Sequence, residues 1–312
     1  MKEPLDLSRL KRYSVRERMS KASIDLSGKP HTKGASFRAF MDSLPDYLAA
    51  KGIKTAVSAI TEARKNGRPV ILGMGAHPIK VGLSPLIRDL MQKGVITALA
   101  TNGAAIIHDF EIAFIGQTSE DVEKELCTGA FGMACETGQM VNEAINRGVD
   151  KGYGIGRSMG KFIDTSAFPY KEQSIFREAA DLGIPASVHV AMGCDIVHMH
   201  PEADGARIGE GSLRDFRLLT SVVADLEGGV YINLGSAVIL PEVFLKALTS
   251  VRNLGHRVEA FTTVNMDFVQ HYRPRENVLR RPTLIKGKSV ALTGHHEIMF
   301  PLLHAMLVEE MG

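Results

Sequence analysis

From about residue 69 onwards, the chain alternates between short apolar runs and longer segments with helical periodicity. The apolar runs predict strands at about 69–74, 96–101, 184–190, 228–234, 257–264 and 289–294. Segments such as 83–93, 122–147 and 238–248 have the amphipathic pattern that is typical of helices. This order predicts a doubly wound α/β sheet, mostly parallel and Rossmann-like, with helices on both faces.

The first 66 residues are expected to divide into an arm and a helical segment. Residues 1–35 carry many charges and little sustained apolar periodicity, which predicts a peripheral N-terminal arm on the main body or on a neighbouring subunit. Residues 36–66 have the apolar spacing of two helices that lead into the first strand. Because no linker or internal repeat divides the rest, residues 36–312 are expected to form one domain.

Composition and charge narrow the class of protein further. The chain has 37 Lys and Arg residues against 35 Asp and Glu residues, so its formal charge of +2 argues against a nucleic-acid partner. No apolar run approaches the roughly 20 residues that cross a bilayer, and the polar start lacks a signal-peptide core. We therefore expect a cytoplasmic protein with no membrane partner. Its three cysteines, Cys127, Cys135 and Cys194, predict no disulfide framework.

Small and polar residues repeatedly follow the predicted strands. In an open α/β sheet the carboxyl ends of the strands form the ligand crevice, so these residues are candidates for a site. Gly235-Ser236-Ala237, between a strand and a helix, resembles a turn that admits a dinucleotide pyrophosphate. The glycine-containing segment 154–160 differs from the GxGxxG spacing and follows no strong strand, so it is predicted to be a flexible surface loop.

The order of the motifs resembles the deoxyhypusine synthase family. The matching segments span roughly residues 40–310 and are Leu72–Leu90, Ala98–Asp109, Gly183–Pro185, Leu234–Val238, Arg273–Val278 and Phe300–Leu303. The resemblance implies a Rossmann-like homotetramer, or at least a dimer, with NAD and spermidine bound at sites shared by paired subunits. Members of that family oxidise spermidine, form an imine with an enzyme lysine, and transfer the aminobutyl group to a lysine of translation initiation factor 5A.

The position of the family's essential lysine differs in this chain. When Arg273–Val278 is matched to the family's motif, Arg280-Arg281-Pro282 stands where the family has Trp-Gly-Lys, and proline cannot form an imine. Lys286 and Lys288 follow a few residues later and would replace the lysine only if the register shifted. We therefore expect that the standard lysine-imine reaction does not take place efficiently.

The family's polyamine and nucleotide contacts also differ. Its paired glutamates match Ile107-His108, and its acidic segment matches approximately residues 193–198. An aspartate that contacts the dinucleotide in the family falls at His295, whereas Glu276 is retained. The resemblance therefore predicts a diverged site that acts on a different small amine or related metabolite.

Two sets of residues follow from the strand ends and the resemblance together. The residues expected to perform acid–base chemistry are His108, Asp109, Asp195, His198 and Glu276. The residues expected to contact NAD are Ala76, His77, Lys80, Thr101, Asn102, Gly103, Gly235, Ser236, Ala237 and His295.

The histidines allow another interpretation. His77, His108, His198 and His295 would all approach the crevice and could hold Zn²⁺ or another divalent metal, although their spacing matches no recognised zinc signature. Three functions remain open at this point: a deoxyhypusine-synthase-like enzyme with a different small-molecule substrate, a metal-dependent hydrolase or lyase, and a non-catalytic oligomeric binding protein.

Overall fold

A computed structural model describes residues 1–311 and has a six-stranded sheet at its centre. The strands are β1 (Val70–Met74), β2 (Ala98–Asn102), β3 (Ala186–His189), β4 (Val230–Leu234), β5 (Thr262–Asp267) and β6 (Lys288–Thr293). Their order is β3-β2-β1-β4-β5-β6, and every neighbouring pair is parallel. The predicted doubly wound α/β fold is therefore confirmed.

Helices connect the strands and cover the sheet. They are α1 (Phe37–Ser43), α2 (Leu48–Lys65), α3 (His77–Lys80), α4 (Ser84–Gln92), α5 (Gly103–Ile115), α6 (Val122–Thr128), α7 (Cys135–Asp150), α8 (Ile155–Thr165), α9 (Ile175–Asp181), α10 (Gly205–Ala224), α11 (Ile239–Asn253), α12 (Tyr272–Pro274) and α13 (His296–Met311). Short 3-10 turns occupy Ile24–Leu26, Lys171–Gln173 and Ile196–Met199, and a π-helical turn occupies Arg275–Arg280.

The two faces of the sheet form two separate hydrophobic cores. Leu72 and Met74 of β1 belong to the larger core, together with residues of α2, α4, α5 and α13. Ile71, which directly precedes Leu72, belongs to the second core with Tyr231 of β4 and Phe244 of α11. This alternation follows from the strand geometry, in which successive side chains point to opposite faces.

All six predicted strands are present, but β5 begins later than predicted. It covers Thr262–Asp267 rather than 257–264. The backbone before it is bonded to side chains instead of to a strand, because Arg252 donates to the carbonyl of Val258 and Glu227 accepts from the N–H groups of residues 259 and 260. The carboxyl end of β5 consequently lies three residues further along the chain than expected.

The segment predicted as a surface loop at 154–160 is instead part of α8, so that prediction is wrong. Gly156 and Gly160 lie on the buried side of the helix. A Cβ atom on Gly156 would overlap the carbonyl of Ala186, and one on Gly160 would overlap the carbonyl of Phe176. These glycines serve close packing of a helix against its neighbours rather than backbone flexibility.

Two other helical predictions have different outcomes. The two helices predicted between residues 36 and 66 are present as α1 and α2. The single amphipathic segment predicted at 122–147 is divided into α6 and α7, and Gly129 and Gly132 between them both have positive φ angles.

Residues 1–34 are all exposed. None of the helices within residues 1–311 combines the length and apolarity needed to span a membrane.

Helix α10 lies along the outer edge of β3 and bonds to its backbone. The Asp215 carboxylate accepts from the N–H of Val188 at 2.8 Å and from the N–H of Gly156 at 2.9 Å. Ser212 accepts from the N–H of Val190 at 3.1 Å and donates to the carbonyl of Val188 at 3.2 Å. Side chains of one helix thus satisfy the backbone groups that β3 would otherwise leave unpaired.

Candidate functional site

The connections leave a crevice between the carboxyl ends of β1 and β4. The chain leaves β1 for α3 and α4, which contribute Ile79 and Ile87 to the larger core, and it leaves β4 for α11, whose Phe244 lies in the second core. The two neighbouring strands therefore send their following helices to opposite faces. This is the topological switch point at which open α/β sheets bind ligands.

Two glycines allow the backbones to approach closely at this crevice. Gly235 follows β4 with a φ angle of +68°, and a Cβ atom there would lie 2.6 Å from Cε1 of His296. A Cβ atom on Gly75, which follows β1, would lie 2.8 Å from the carbonyl oxygen of Gly235. Glycine is therefore required at position 235 both by backbone conformation and by the space that His296 occupies.

His296 is the most unusual polar group at the crevice. It is 1% exposed, and neither of its ring nitrogens has a hydrogen-bond partner. Its Nε2 lies 3.6 Å from the Asp267 carboxylate, and its ring centroid lies 5.4 Å from that of His77. Burial lowers the pKa of His296, although the nearby Asp267 acts in the opposite direction. A neutral buried imidazole without partners is a costly feature that points to function.

The rim of the crevice is aromatic and exposed. The Phe268 ring, which is 50% exposed, stacks on His295 with ring centroids 6.1 Å apart and lies 5.8 Å from the ring of His296. His77 is also exposed at the start of α3. His77 and His295, both predicted to contact a cofactor, are therefore placed at the same crevice as His296.

The predicted Gly235–Ala237 turn has the geometry of a helix start. The hydroxyl of Ser236 accepts from the N–H of Leu240 at 3.1 Å, and Asn233 donates to the Ser236 carbonyl at 2.9 Å. On the neighbouring strand β2, Thr101 is fully buried and donates to the Asn102 carbonyl, whereas the side-chain oxygen of Asn102 has no partner.

An acidic cavity of about 220 Å³ lies beside the crevice. Its lining includes the carboxylates of Glu111, Glu120 and Asp195, with Lys80 as the cation. The other lining residues are Ala104, Ile107, His108, Ser119, Val122, Phe131, Cys194 and Ile196. Because α3 runs from His77 to Lys80, about one helical turn separates the crevice from this cavity.

His108 is held neutral at the cavity wall. Thr118 donates its only hydroxyl proton to Glu111 at 2.5 Å and lies 2.6 Å from Nδ1 of His108, so Nδ1 must be the donor to Thr118. This arrangement fixes the tautomer and leaves Nε2 with the lone pair. Burial, assisted by the charge of Lys80, lowers the pKa of His108 to about 4.

Asp195 occupies the N-terminus of α5. A Cβ atom on Gly103, the first residue of that helix, would overlap the Asp195 carboxylate. Burial raises the pKa of Asp195, although His198 at 3.9 Å acts in the opposite direction. Since this helix end already faces a carboxylate, Gly103 is poorly placed for the phosphate contact predicted from the sequence.

Three predicted acid–base residues have structural contacts instead. Asp109 is fully buried and accepts from Ser174 and from the N–H of Ile175 at the start of α9, which differs from its predicted position at the crevice. Nδ1 of His198 accepts from the backbone N–H groups of residues 193 and 195. The Glu276 carboxylate pairs with Arg280 and Arg281.

The structure does not support the metal prediction. No group of three or more His, Cys, Asp and Glu side chains within residues 1–311 is arranged to hold a metal ion. His77 and His295 lie at the crevice, whereas His108 lines the acidic cavity and His198 is bonded to its own loop. The four imidazoles therefore do not converge on one point.

Several residues of the site were missed by the sequence analysis. Asp267 and Phe268 were missed because β5 was predicted to end at residue 264. Glu111 lies one helical turn after His108, so the helical spacing of α5 was the available signal. Glu120 belongs to the connection between α5 and α6, and nothing in the sequence indicated that this connection folds over the cavity.

Comparison with known proteins gives structural likenesses only. No protein-family model matches the chain, and no curated protein matches its sequence. A candidate deoxyhypusine synthase from Entamoeba histolytica is 16% identical with a TM-score of 0.55, over 90% of this chain and 96% of that one. A conserved candidate LOR/SDH protein from Methanococcus maripaludis S2 is 17% identical with a TM-score of 0.53, over 97% and 76%.

Longer proteins share the fold as well. AgrE in a ternary complex with ornithine and NAD⁺ is 14% identical with a TM-score of 0.52, over 88% of this chain and 34% of that one. ArgZ, an arginine dihydrolase from the ornithine–ammonia cycle in cyanobacteria, is 15% identical with a TM-score of 0.52, over 83% and 31%. This chain therefore spans about a third of the length of ArgZ and AgrE.

Proposed function

Since this chain has the fold of deoxyhypusine-synthase-like proteins, we propose that it is an NAD-dependent enzyme acting on a small cationic amine or related metabolite. The acidic cavity beside His108 is the observation that carries this proposal. Three carboxylates and one ammonium line it, so a cationic amine is favoured over an anion. Its apolar residues, including Phe131 and Ile196, suit a short hydrocarbon segment.

NAD is proposed to bind at the adjacent crevice. The glycines at 75 and 235 let the two strand ends and His296 pack closely, and the buried nitrogens of His296 lack partners, so a polar ligand is proposed to approach the crevice from its open rim. The pyrophosphate is expected between the Gly235–Ala237 turn and the Ala76–Lys80 segment. NAD, when bound, supplies the hydride acceptor for the amine carbon. One structure of AgrE, which this chain matches over 34% of AgrE's length, contains ornithine and NAD⁺, and this likeness supports the proposal of a dinucleotide and an amine as ligands.

The chain's own residues would bind the amine and carry its proton. Glu111, Glu120 and Asp195 provide the negative charge that holds an ammonium group in the cavity. Loss of a hydride from the amine carbon and of a proton from nitrogen gives an imine, and this proton needs an acceptor. The cavity offers Nε2 of His108 and the carboxylates of Glu111, Glu120 and Asp195 as acceptors, and we assign the proton to Nε2 of His108, whose tautomer leaves a free lone pair there.

Absorbance at 340 nm tests the proposed reaction directly. Purified protein with NAD and a panel of diamines, polyamines and basic amino acids is expected to form NADH with at least one of them. The H108A variant should be slower by about 10²–10⁴-fold, the usual contribution of a positioned acid or base. H256A, which removes an exposed histidine after α11, is the matched control and should keep the wild-type rate. Equal rates in H108A and wild type would show that His108 takes no part in the reaction.

Borohydride trapping is expected to show no lysine adduct with spermidine and NAD at Lys286 or Lys288. Lys288 begins β6, and therefore lies about 17 Å along the strand from the carboxyl end where the crevice forms. Lys286 pairs with Glu259 at 3.2 Å near the same amino end. Mass spectrometry of the trapped protein measures the result. Stoichiometric labelling of either lysine would show that this chain performs the lysine-imine reaction of the family after all.

A further inference from the structure

His296 is buried and neither of its ring nitrogens has a hydrogen bond of standard geometry, although the backbone of Met266 lies close enough to favour the protonated ring. Its ring packs against Gly235, His77 and Phe268, and the only carboxylate within 4 Å of it is that of Asp267. The carboxylate of Asp267 itself accepts from the N–H of Phe268 at 2.8 Å. The imidazole is thus placed between a partly satisfied carboxylate and the open side of the crevice.

Two long helices point their N-termini at the same place. His296 is the first residue of α13, which has 16 residues, and α11, which has 15 residues, begins just beyond Ser236. Helix N-termini carry a partial positive charge and free N–H groups, which favour anions. The N-terminus of α5 differs because Asp195 already lies against it. An anion is therefore favoured at the β1–β4 crevice and disfavoured at the neighbouring helix end.

We propose that the crevice between β1 and β4 binds the phosphates of its ligand together with one proton, which His296 takes up. The proposal rests on the NAD site of the proposed function and names the group that responds to the ligand's charge. A neutral imidazole donates through one nitrogen only, whereas the protonated ring donates through both. One N–H can then face Asp267 and the other the phosphate, so both orphaned nitrogens gain partners.

The charges around His296 determine the direction of the effect. Asp267 on β5 and Glu297 on α13 favour the protonated ring, whereas His77 on α3 opposes it when charged. His295, next in the chain, lies 3.9 Å from Glu297. Burial keeps the free ring neutral near pH 7, and a dianionic pyrophosphate adds the negative charge that reverses this preference. The half-exposed Phe268 ring lies edge-on to His296 with ring centroids 5.8 Å apart, so the proposal requires this ring to move for a phosphate to reach the buried imidazole.

Calorimetry in two buffers measures the proton. NAD, ADP-ribose and inorganic pyrophosphate would each be titrated at pH 7 in HEPES and in Tris, whose ionisation enthalpies differ. The wild-type protein is expected to take up close to one proton per site with NAD and with ADP-ribose, and with inorganic pyrophosphate after the ligand's own proton exchange near pH 7 has been subtracted. Its affinity should fall by up to tenfold per pH unit above pH 7. Binding with the same apparent enthalpy in both buffers would overturn the proposal, as would failure of all three probes to bind.

Two variants assign the proton to its residue. H296Q is expected to bind ADP-ribose more weakly and without proton uptake, whereas H77Q should retain the uptake. Uptake that persists in H296Q and disappears in H77Q would assign the proton to His77 and overturn the proposal. The two-buffer result on wild-type protein does not depend on whether H296Q folds.

The probes also separate this inference from the proposed function. Binding of pyrophosphate and ADP-ribose with proton uptake, but without NADH formation from any amine, supports the role of His296 and contradicts the proposed enzyme activity. NAD binding and amine turnover without proton uptake would support the proposed enzyme activity and contradict the role of His296.

Discussion

Replacing Gly235 with alanine is expected to lower the free energy of unfolding by roughly 2–4 kcal/mol and to abolish NAD binding. The new Cβ atom would lie 2.6 Å from Cε1 of His296, a ring that is buried and cannot easily move away. The φ angle of +68° adds backbone strain in any residue with a side chain. Urea unfolding and calorimetry with NAD measure the two losses.

Gly183 provides the matched control for Gly235. Its φ angle is +69°, but a Cβ atom there would have no heavy atom within 4 Å. G183A should therefore lose only about 1 kcal/mol, because it has the same backbone strain without the overlap. If the two variants lost equal stability, the contact with His296 would contribute nothing, and the close approach at the crevice would be irrelevant to stability.

Replacing Asp215 with asparagine is expected to stabilise the protein increasingly as the pH rises from 4 to 8. Burial raises the pKa of Asp215 to about 7, against 3.8 for the free side chain. As the pH rises between these two values, the unfolded chain releases the proton and the folded chain retains it, so wild-type stability falls. The asparagine variant lacks this loss and can still accept through its carbonyl oxygen.

The size of the change follows from the shift in pKa. Relative to wild type, D215N should gain roughly 3–4 kcal/mol of unfolding free energy between pH 4 and pH 8, at about 1.4 kcal/mol per pKa unit. Urea unfolding at each pH measures it. D225N, which removes an exposed carboxylate at the end of the same helix, should show no such trend. A difference between D215N and wild type that does not change with pH would contradict the buried ionisation.

The fold could be predicted from the sequence because its signals are local and repeated. The runs that become β1 and β4 are mostly apolar, interrupted in β4 by Asn233, and each is followed by glycine, as expected for strands buried on both faces. The start of β5 was mispredicted because apolar residues such as Val258 and Phe261 precede it. The bonds of this backbone to the side chains of Arg252 and Glu227, which the local pattern does not reveal, keep it out of the sheet.

The site was less predictable because neighbouring residues can face opposite directions. His108 and Asp109 were both expected to reach the ligand, but they lie on α5, where consecutive side chains differ by about 100°. His108 consequently lines the cavity, and Asp109 points to the start of α9. His295 was selected by the resemblance, and His296 was only a further candidate for the crevice, because its burial depends on how the start of α13 packs beside Gly235 and Asp267.

The contacts of α10 with β3 also bear on whether a strand of another molecule can add to the sheet. An edge strand with unpaired backbone groups is a template onto which a strand of another chain can add. Asp215 and Ser212 occupy the outward N–H groups of Val188 and Val190, and Ser212 also occupies the carbonyl of Val188. An incoming strand would have to displace a helix before it met a free donor. The polar residues of α10 therefore prevent a strand of another molecule from pairing with this edge of the sheet.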